Sequence, residues 1–256
     1  MSNHNTQIVI LAAGKGTRMN SEYPKVLHII EDKPIILHIL ETASKVCEKP
    51  TLVIGYKGED VIEATGNQYH YVWQKEQLGT GHAVAQCQED LKKMGCNSVL
   101  VLYGDHPFVS EQTLRRLIDS FDSSQPNTAF CMTVFTAPNY DNGFGVFYNY
   151  GPIIRDNAGK ILGIVEFKDA TDQQRASREV NIGYYCFDAN WLWDNIGKLD
   201  KNNKAGEYYL TDLVKMAVEQ GKKICSIEIS HPIEGMGINT KEQLEAIEQA
   251  YEQKRA

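Results

Sequence analysis

The 256-residue chain contains no run of roughly 18 consecutive apolar residues, so no membrane-spanning helix is expected. Its opening, "MSNHNTQIVI", lacks the basic stretch and apolar run of a secretory signal, so a cytoplasmic location is expected. Positive charge is in short supply. The 26 Lys and Arg stand against 33 Asp and Glu, a formal net charge of −7. That balance argues against partners such as nucleic acid or an anionic membrane. It leaves room for a small anionic ligand, because charges more than about 8 Å away are largely screened at physiological salt. The six cysteines (Cys47, Cys87, Cys96, Cys131, Cys186 and Cys225) form no CxxC pair and lie far apart. Free thiols in a reducing compartment are expected, not a disulfide frame or a zinc site. The seven histidines show no HExxH-like spacing, which excludes a familiar protein-only metal cage. Internal repeats, low-complexity tracts and Pro/Ser-rich linkers are also missing, so residues 1–256 are read as one domain.

What is present alternates between strand-like and helix-like stretches. "QIVILAA", "PTLVIGY", "NSVLVLYGD" and "TAFCMTVFT" are short apolar runs that read as buried strands. Between them, "KPIILHILETASKV", "GTGHAVAQCQEDLKKM" and "SEQTLRRLIDSF" read as helices, the last capped by Ser110. This order predicts an α/β fold of Rossmann-like type, doubly wound around a mostly parallel sheet. Beyond Pro138 the pattern changes. "GFGVFYNYGPIIRDNAGKILGIVEFK" reads as a hairpin pair with an Asn-Ala-Gly turn, a sugar-side β-hairpin insertion. "NIGYYCFDANWLWDNI" reads as strand then helix, "GEYYLTDLVKMAVEQ" as a helix and "KKICSIEI" as a late strand. Thr240 and Gln243 are spaced for a capping box on a last helix. Within the single domain, a nucleotide-binding half covers about 6–137, a second half about 138–239, and the final helix about 240–254.

The stretch "LAAGKGTRMNSEYPK", from Leu11 to Lys25, follows the first strand. A glycine-rich turn after a buried strand offers backbone N–H groups to anions, above all phosphate. Walker A spacing fails because Met19 stands where GxxxxGK[ST] needs its second glycine, and the same residue breaks GxGxxG. Lys15, Arg18 and Lys25 nevertheless concentrate positive charge in an acidic chain. Arg18 can grip phosphate oxygens in a fork and Lys25 can act as a mobile point charge. The competing reading is a tight surface turn with solvated charges.

L-A-A-G-x-G-T-R-M followed by P-K resembles the signature of sugar-1-phosphate nucleotidyltransferases. "QLGTGHA", "LYGD", "GIVEFKDAT", "EVNIGYYCF", "GEYYLTD" and "EGMGINTKEQL" follow in that family's order. Together they are similar to the uridyltransferase domain of bifunctional N-acetylglucosamine-1-phosphate uridyltransferase/glucosamine-1-phosphate acetyltransferases, from about Ile8 to Gln249. The resemblance implies the nucleotide-diphospho-sugar transferase fold. The implied reaction is Mg²⁺-assisted attack by a sugar 1-phosphate on the α-phosphorus of UTP, releasing pyrophosphate. No general base is required, because the attacking phosphate is already ionised.

By the same resemblance, Arg18 and Lys25 are catalytic. Arg18 holds the leaving pyrophosphate, and Lys25 stabilises charge between the reacting phosphates. Leu11, Ala12, Ala13, Gly14, Gln74, Gly79 and Thr80 contact the nucleotide. Gly151, Glu166, Asn181, Tyr209 and Thr211 line the sugar pocket. Asp105 and Asn239 ligate the metal; a carboxylate and an amide, with phosphates and water completing the shell, suit Mg²⁺. Taken alone, Asp105 reads better as a strand-end acid capping a loop and Asn239 as a turn residue before the last helix, while Gln74 reads equally as an exposed polar residue. UTP and a sugar 1-phosphate are the expected partners, with a monomer or small homo-oligomer.

The chain departs from the family in its sugar-side hairpin. Where G-Y-G-R is usual, "GFGV" at Gly143 and "YGPI" at Tyr150 compete. Spacing to Glu166 favours Tyr150-Gly151, which makes "NGFGVFYN" an insertion and puts Pro152 where arginine is usual. No hexapeptide repeats are visible, so neither acetyltransferase activity nor the trimer it supports is expected. Two readings compete with transfer to N-acetylglucosamine 1-phosphate: another nucleotide or sugar 1-phosphate, and a non-catalytic nucleotide-sugar sensor.

Overall fold

The structure, a computed structural model, describes residues 5–19, 21–141 and 143–255, the last seven of these by backbone alone. Residues 1–4 of the opening read for a signal, Asn20 of the glycine-rich loop and Asn142 of the insertion lie outside the described residues. Strand β1 (Thr6–Ala12) leads through two short 3-10 turns (Thr17–Met19, Lys25–Leu27) to the small ribbon β2 (Ile29–Ile30) and β3 (Lys33–Pro34). Then come α1 (Ile35–Ala43), β4 (Thr51–Ile54), α2 (Gly58–Thr65), β5 (His70–Trp73), α3 (Thr80–Ala85) and α4 (Gln88–Met94). They are followed by β6 (Ser98–Tyr103), α5 (Glu111–Ser123) and β7 (Thr128–Thr136). The second half holds β8 (Ile153–Arg155), β9 (Ile161–Ile164), α6 (Asp172–Arg175), β10 (Glu179–Asp188) and α7 (Ala189–Asn195). It ends with α8 (Asp212–Glu219), β11 (Lys223–Glu228) and α9 (Lys241–Arg255). Among the described residues no helix is long and apolar enough to cross a membrane.

Seven strands form one sheet in the order β11-β7-β10-β6-β1-β4-β5. Every neighbouring pair is parallel except those made by β10, which runs antiparallel to β6 and β7. Helices cover both faces, which is why the central strands are apolar on both sides. Ile8 and Ile10 of β1 join a core with Ile36, Ile39 and Leu40 of α1 and Leu114 and Leu117 of α5. Val9, between them, faces a second core with Val84, Leu91, Leu192 and Leu213. The predicted doubly wound, mostly parallel sheet is therefore the fold observed. Stretches 6–137 and 138–239 share it, because β10 lies between β6 and β7.

Local expectations met mixed outcomes. Ser110 caps α5, its hydroxyl accepting from the Thr113 N–H at 3.1 Å. The helix read over "GTGHAVAQCQEDLKKM" bends at Gln86 and Cys87 into α3 and α4, keeping Cys87 and Leu91 in the core. Within "GFGVFYN", Gly145–Asn149 is a 3-10 turn rather than a strand; it plugs Phe147 against Phe135, with ring centroids 4.5 Å apart. Of the helix read over "GEYYLTDLVKMAVEQ", Asp212–Glu219 is helical as α8, while "GEYYLT" before it is not. Its backbone pairs elsewhere: Gly81 N–H donates to the Tyr208 carbonyl and Tyr208 N–H to that of Leu78, both at 2.8 Å. The expectation of six free thiols is corrected. Cys131 and Cys225 are register partners on β7 and β11 and are joined by a disulfide across a sequence separation of 94. Sequence spacing carries no sign of a pair that only strand register brings together.

Candidate active site

The glycine-rich loop after β1 doubles back because Gly16 adopts φ +65°, and a Cβ there would lie 2.6 Å from that of Lys25. This close approach is open only to glycine. It brings Arg18 and Lys25 to one side of a cleft of about 480 Å³. The cleft lies beyond the C-terminal ends of β1, β5 and β6, where open α/β sheets gather their ligands. Among the described residues no α-helix starts directly behind the loop: the segments at Thr17 and Lys25 are single 3-10 turns. Lys15 is exposed and lies over the Tyr56 ring, 5.3 Å from its centroid, away from the cleft.

The cationic end is a compact polar cluster. Lys25 Nζ donates to Asp105 Oδ2 at 2.5 Å and to Asn239 Oδ1 at 3.0 Å. An Arg18 guanidinium N–H reaches the same Asn239 oxygen at 2.8 Å. Burial by itself would raise the Asp105 carboxyl. The Lys25 ammonium, with help from His106 and hydrogen bonds, outweighs it and holds Asp105 below the usual carboxylate range. Asn239 is fixed from two directions. Ile238 N–H donates to the Asp105 carbonyl at 2.9 Å, and Gln243 Oε1 accepts from the Asn239 N–H at 2.8 Å. The predicted capping box is thus half made: Thr240 Oγ accepts from Gln243 N–H at 3.2 Å, while the Gln243 side chain reaches one residue further back. The 3-10 turn Pro232–Gly235 and the irregular stretch between it and Asn239 hang from two tyrosines. Tyr150 donates to the Gly235 carbonyl and accepts from Gly237 N–H; Tyr184 donates to the Glu234 carbonyl.

The opposite wall belongs to the segment around Gly79. Its φ of +114° and a virtual Cβ 2.6 Å from the Tyr208 carbonyl make glycine mandatory there. Thr80 Oγ accepts from Leu210 N–H at 3.0 Å, locking this segment to the 208–210 loop. Gln74 is buried against it, with its amide nitrogen 3.0 Å from the Gly79 carbonyl. At the third side, Asn181 N–H donates to the Gly151 carbonyl at 2.9 Å, so β10 carries the hairpin base. Glu166 accepts from Thr211 Oγ at 2.9 Å. Burial, followed by the neighbouring carboxylates of Asp212, Asp169 and Glu207, raises the Glu166 pKa against the opposing Thr211 bond.

Of the expected residues, Leu11, Ala12, Ala13, Gly14, Arg18, Lys25, Gln74, Gly79, Thr80, Asp105, Gly151, Glu166, Asn181 and Asn239 all line this cleft. Thr211 and Tyr209 do not; Thr211 stands behind Glu166 and props it. The Tyr150-Gly151 register is the one that reaches the cleft, while Gly143 and Gly145 do not. Sequence reasoning passed over Tyr103, His106, Tyr150, Glu207 and Gln243 as lining residues. Gln243 had a visible signal, its capping-box spacing, and Tyr150 had its place in the hairpin register. Tyr103 and Glu207 stand inside the motifs "LYGD" and "GEYYLTD", and His106 directly follows the first, but none carries a signal of its own.

A family model described as the MobA-like NTP transferase domain matches residues 8–254. The chain belongs to that family. Among curated relatives of this transferase domain is "Bifunctional protein GlmU" of Psychrobacter sp. (strain PRwf-1), 42% identical over 254 residues, 98% of this chain and 53% of the relative. The protein of the same name from Geobacter metallireducens is 41% identical over 239 residues, 92% of this chain and 48% of its own. The domain therefore spans about half the length of the curated relatives it matches. Two solved structures share its fold. A CMP:2-keto-3-deoxy-manno-octonic acid synthetase complexed with CTP superposes with TM-score 0.70 at 18% identity, covering 98% of this chain and 99% of that one. A Bacillus anthracis protein described as a glucose-1-phosphate thymidylyltransferase, in complex with a sucrose, gives 0.72 at 19%, covering 96% and 94%.

Proposed function

We propose that the chain joins UTP and N-acetylglucosamine 1-phosphate into UDP-N-acetylglucosamine and pyrophosphate. The observation that carries this reading is the convergence of Arg18, Lys25, Asp105 and Asn239 at one end of a cleft whose other walls hold Gln74 and Glu166. A sensor has no need for a complete charge set where the phosphates would react. An oxygen of the sugar phosphate attacks the α-phosphorus, the bond from that phosphorus to the β-phosphate bridging oxygen breaks, and its electron pair leaves with pyrophosphate. Positioning and charge neutralisation supply most of such catalysis. Arg18 takes the departing pyrophosphate, Lys25 the charge between the sugar phosphate and the α-phosphate it attacks, Gln74 and the Gly79–Thr80 segment the base, and Glu166, Asn181 and Gly151 the sugar.

Magnesium fits the residues present. Asp105 and Asn239 point a carboxylate and an amide oxygen at one place, the Lys25 ammonium, 2.5 and 3.0 Å from it. Among the described residues no group of three or more His, Cys, Asp and Glu could hold a metal, so substrate phosphates and water would complete the shell. Bound there, the ion would supply positive charge to the phosphate oxygens.

The second reading, transfer of another nucleotide or to another sugar 1-phosphate, draws on Pro152 in the sugar-side hairpin and on the CTP and thymidylyl chemistry of the structural relatives. Pyrophosphate release measured across UTP, CTP, dTTP and ATP with several sugar 1-phosphates separates the two. The UTP and N-acetylglucosamine 1-phosphate pair is expected to give the highest kcat/KM; a signal no greater than for the other pairs refutes the substrate assignment.

A further inference from the structure

Gln74 is a buried amide with all its visible bonds on one side. Its Nε2 lies 3.0 Å from the Gly79 carbonyl oxygen and 3.1 Å from His82 Nδ1. A carbonyl can only accept, so the atom beside it is the amide NH₂ and not the amide oxygen. An NH₂ can only donate, so His82 Nδ1 is the acceptor and the neutral ring carries its proton on Nε2. The imidazole is itself held, stacked on Tyr208 with centroids 6.2 Å apart and planes 28° apart. Tyr208 is anchored in turn by the backbone bonds to Leu78 and Gly81. Both amide protons of Gln74 are therefore committed. Its Oε1 has no hydrogen-bond partner among the described residues, yet it is not one of the enclosed polar atoms left orphaned. It opens into the cleft that Gln74 lines.

We propose that His82 is a positioning residue that sets nucleobase selectivity: with the Gly79 carbonyl, it presents Gln74 to the ligand as an acceptor only. An acceptor there favours a pyrimidine whose ring nitrogen bears a proton, as in uracil and thymine. It opposes cytosine, whose ring nitrogen at the same place is an acceptor. Without His82 one of the two contacts that fix the amide is gone, so turning the whole amide over to put its NH₂ in the cleft, as cytosine would need, costs one hydrogen bond less. The inference rests on the reading that Gln74 faces the base.

The test compares kcat/KM for UTP and CTP, with one sugar 1-phosphate, in wild type, His82→Phe and His82→Asn. Phenylalanine keeps the ring on Tyr208 and removes the acceptor; asparagine can place an amide oxygen near the Nδ1 position. His82→Phe is expected to lower the UTP-to-CTP ratio about fivefold, the worth of one neutral hydrogen bond. His82→Asn is expected to stay within about twofold of wild type, since it restores that bond. A merely structural role would lower both rates together and leave the ratio alone. A wild-type preference retained by a folded His82→Phe overturns the role of His82. A wild type without preference overturns the placement of Gln74 against the base, and the selectivity role with it. Long-range ¹H–¹⁵N correlation of the wild-type imidazole decides the hydrogen bond independently, even if His82→Phe does not fold. The Nε2–H tautomer is expected, and Nδ1–H refutes the proposal.

Discussion

Replacing Lys25 by methionine keeps the length of the side chain and removes its charge. Lys25 and Asp105 side chains are 17% and 12% exposed, so the pair is mostly shielded from water. Removing one partner of a buried pair costs about 3–5 kcal/mol, because a charge is left uncompensated. Residual solvent contact reduces this, giving an expected loss of about 2–3 kcal/mol. For a domain of this size that corresponds to a Tm lower by about 5–10 °C. The sign of the pH dependence follows from Asp105. In wild type its folded pKa is depressed, so its contribution is present above the unfolded value and lost as pH falls through the folded one. Without Lys25, burial dominates and the folded pKa is raised. The Lys25→Met deficit should then shrink as pH is lowered toward 5. Urea denaturation of wild type, Lys25→Met, Asp105→Asn and the double variant forms the cycle. The double variant should be more stable than Lys25→Met alone. A coupling below about 0.5 kcal/mol, or a Lys25→Met deficit that grows on acidification, refutes the reasoning.

Asp105→Asn should lower turnover by about 100-fold or more with the Tm near or above that of Lys25→Met; turnover with Mg²⁺ unchanged from wild type removes Asp105 from the site. Lys25→Ala should reduce kcat more than nucleotide affinity, and a pure KM effect contradicts its proposed task. Glu166, raised by burial and nearby carboxylates, should protonate above the usual carboxylate range as pH falls. KM for the sugar phosphate should therefore climb earlier than for an ordinary carboxylate. Glu166→Gln should flatten that limb and be the more stable protein at pH 7, where the raised group disfavours folding. Gly79→Ala forces a side chain into φ +114° and against the Tyr208 backbone, and should cost about 2–3 kcal/mol in a thermal melt; a loss below about 0.5 kcal/mol means the segment relaxes.

The α/β architecture was legible because β1, β4, β6 and β7 are unbroken apolar runs, and α1 shows its buried face at Ile35, Ile36, Ile39, Leu40 and Ala43. Position in the sheet was not. "EVNIGYYCF" reads as a strand, but nothing local says that it enters antiparallel between β6 and β7. "GEYYLTD" misled because its polar and aromatic residues permit a helix, while its backbone finds partners 130 residues away, at Leu78 to Gly81. The convergence of the candidates Arg18, Lys25, Asp105 and Asn239 was legible because motifs brought distant cations and oxygens into one list. Tyr150 and Gln243 were visible only as a hairpin register and a capping-box spacing; their work at the cleft, holding the backbone near Asn239, leaves no chemical signature in the residue itself.

The antiparallel entry of β10 has a consequence for how this protein comes to be. β6 and β7, consecutive among the sheet strands, do not pair with each other; they are joined only when β10 arrives from beyond residue 178 to lie between them. Arg18 and Asn239, 221 residues apart, meet at one end of the cleft. A nascent chain therefore exposes raw strand edges through most of its synthesis and has no pocket to offer a nucleotide. Occupancy of the cleft becomes a certificate that both arms have docked. A bound nucleotide should shield the loops near residues 18 and 239 from protease together, never one without the other.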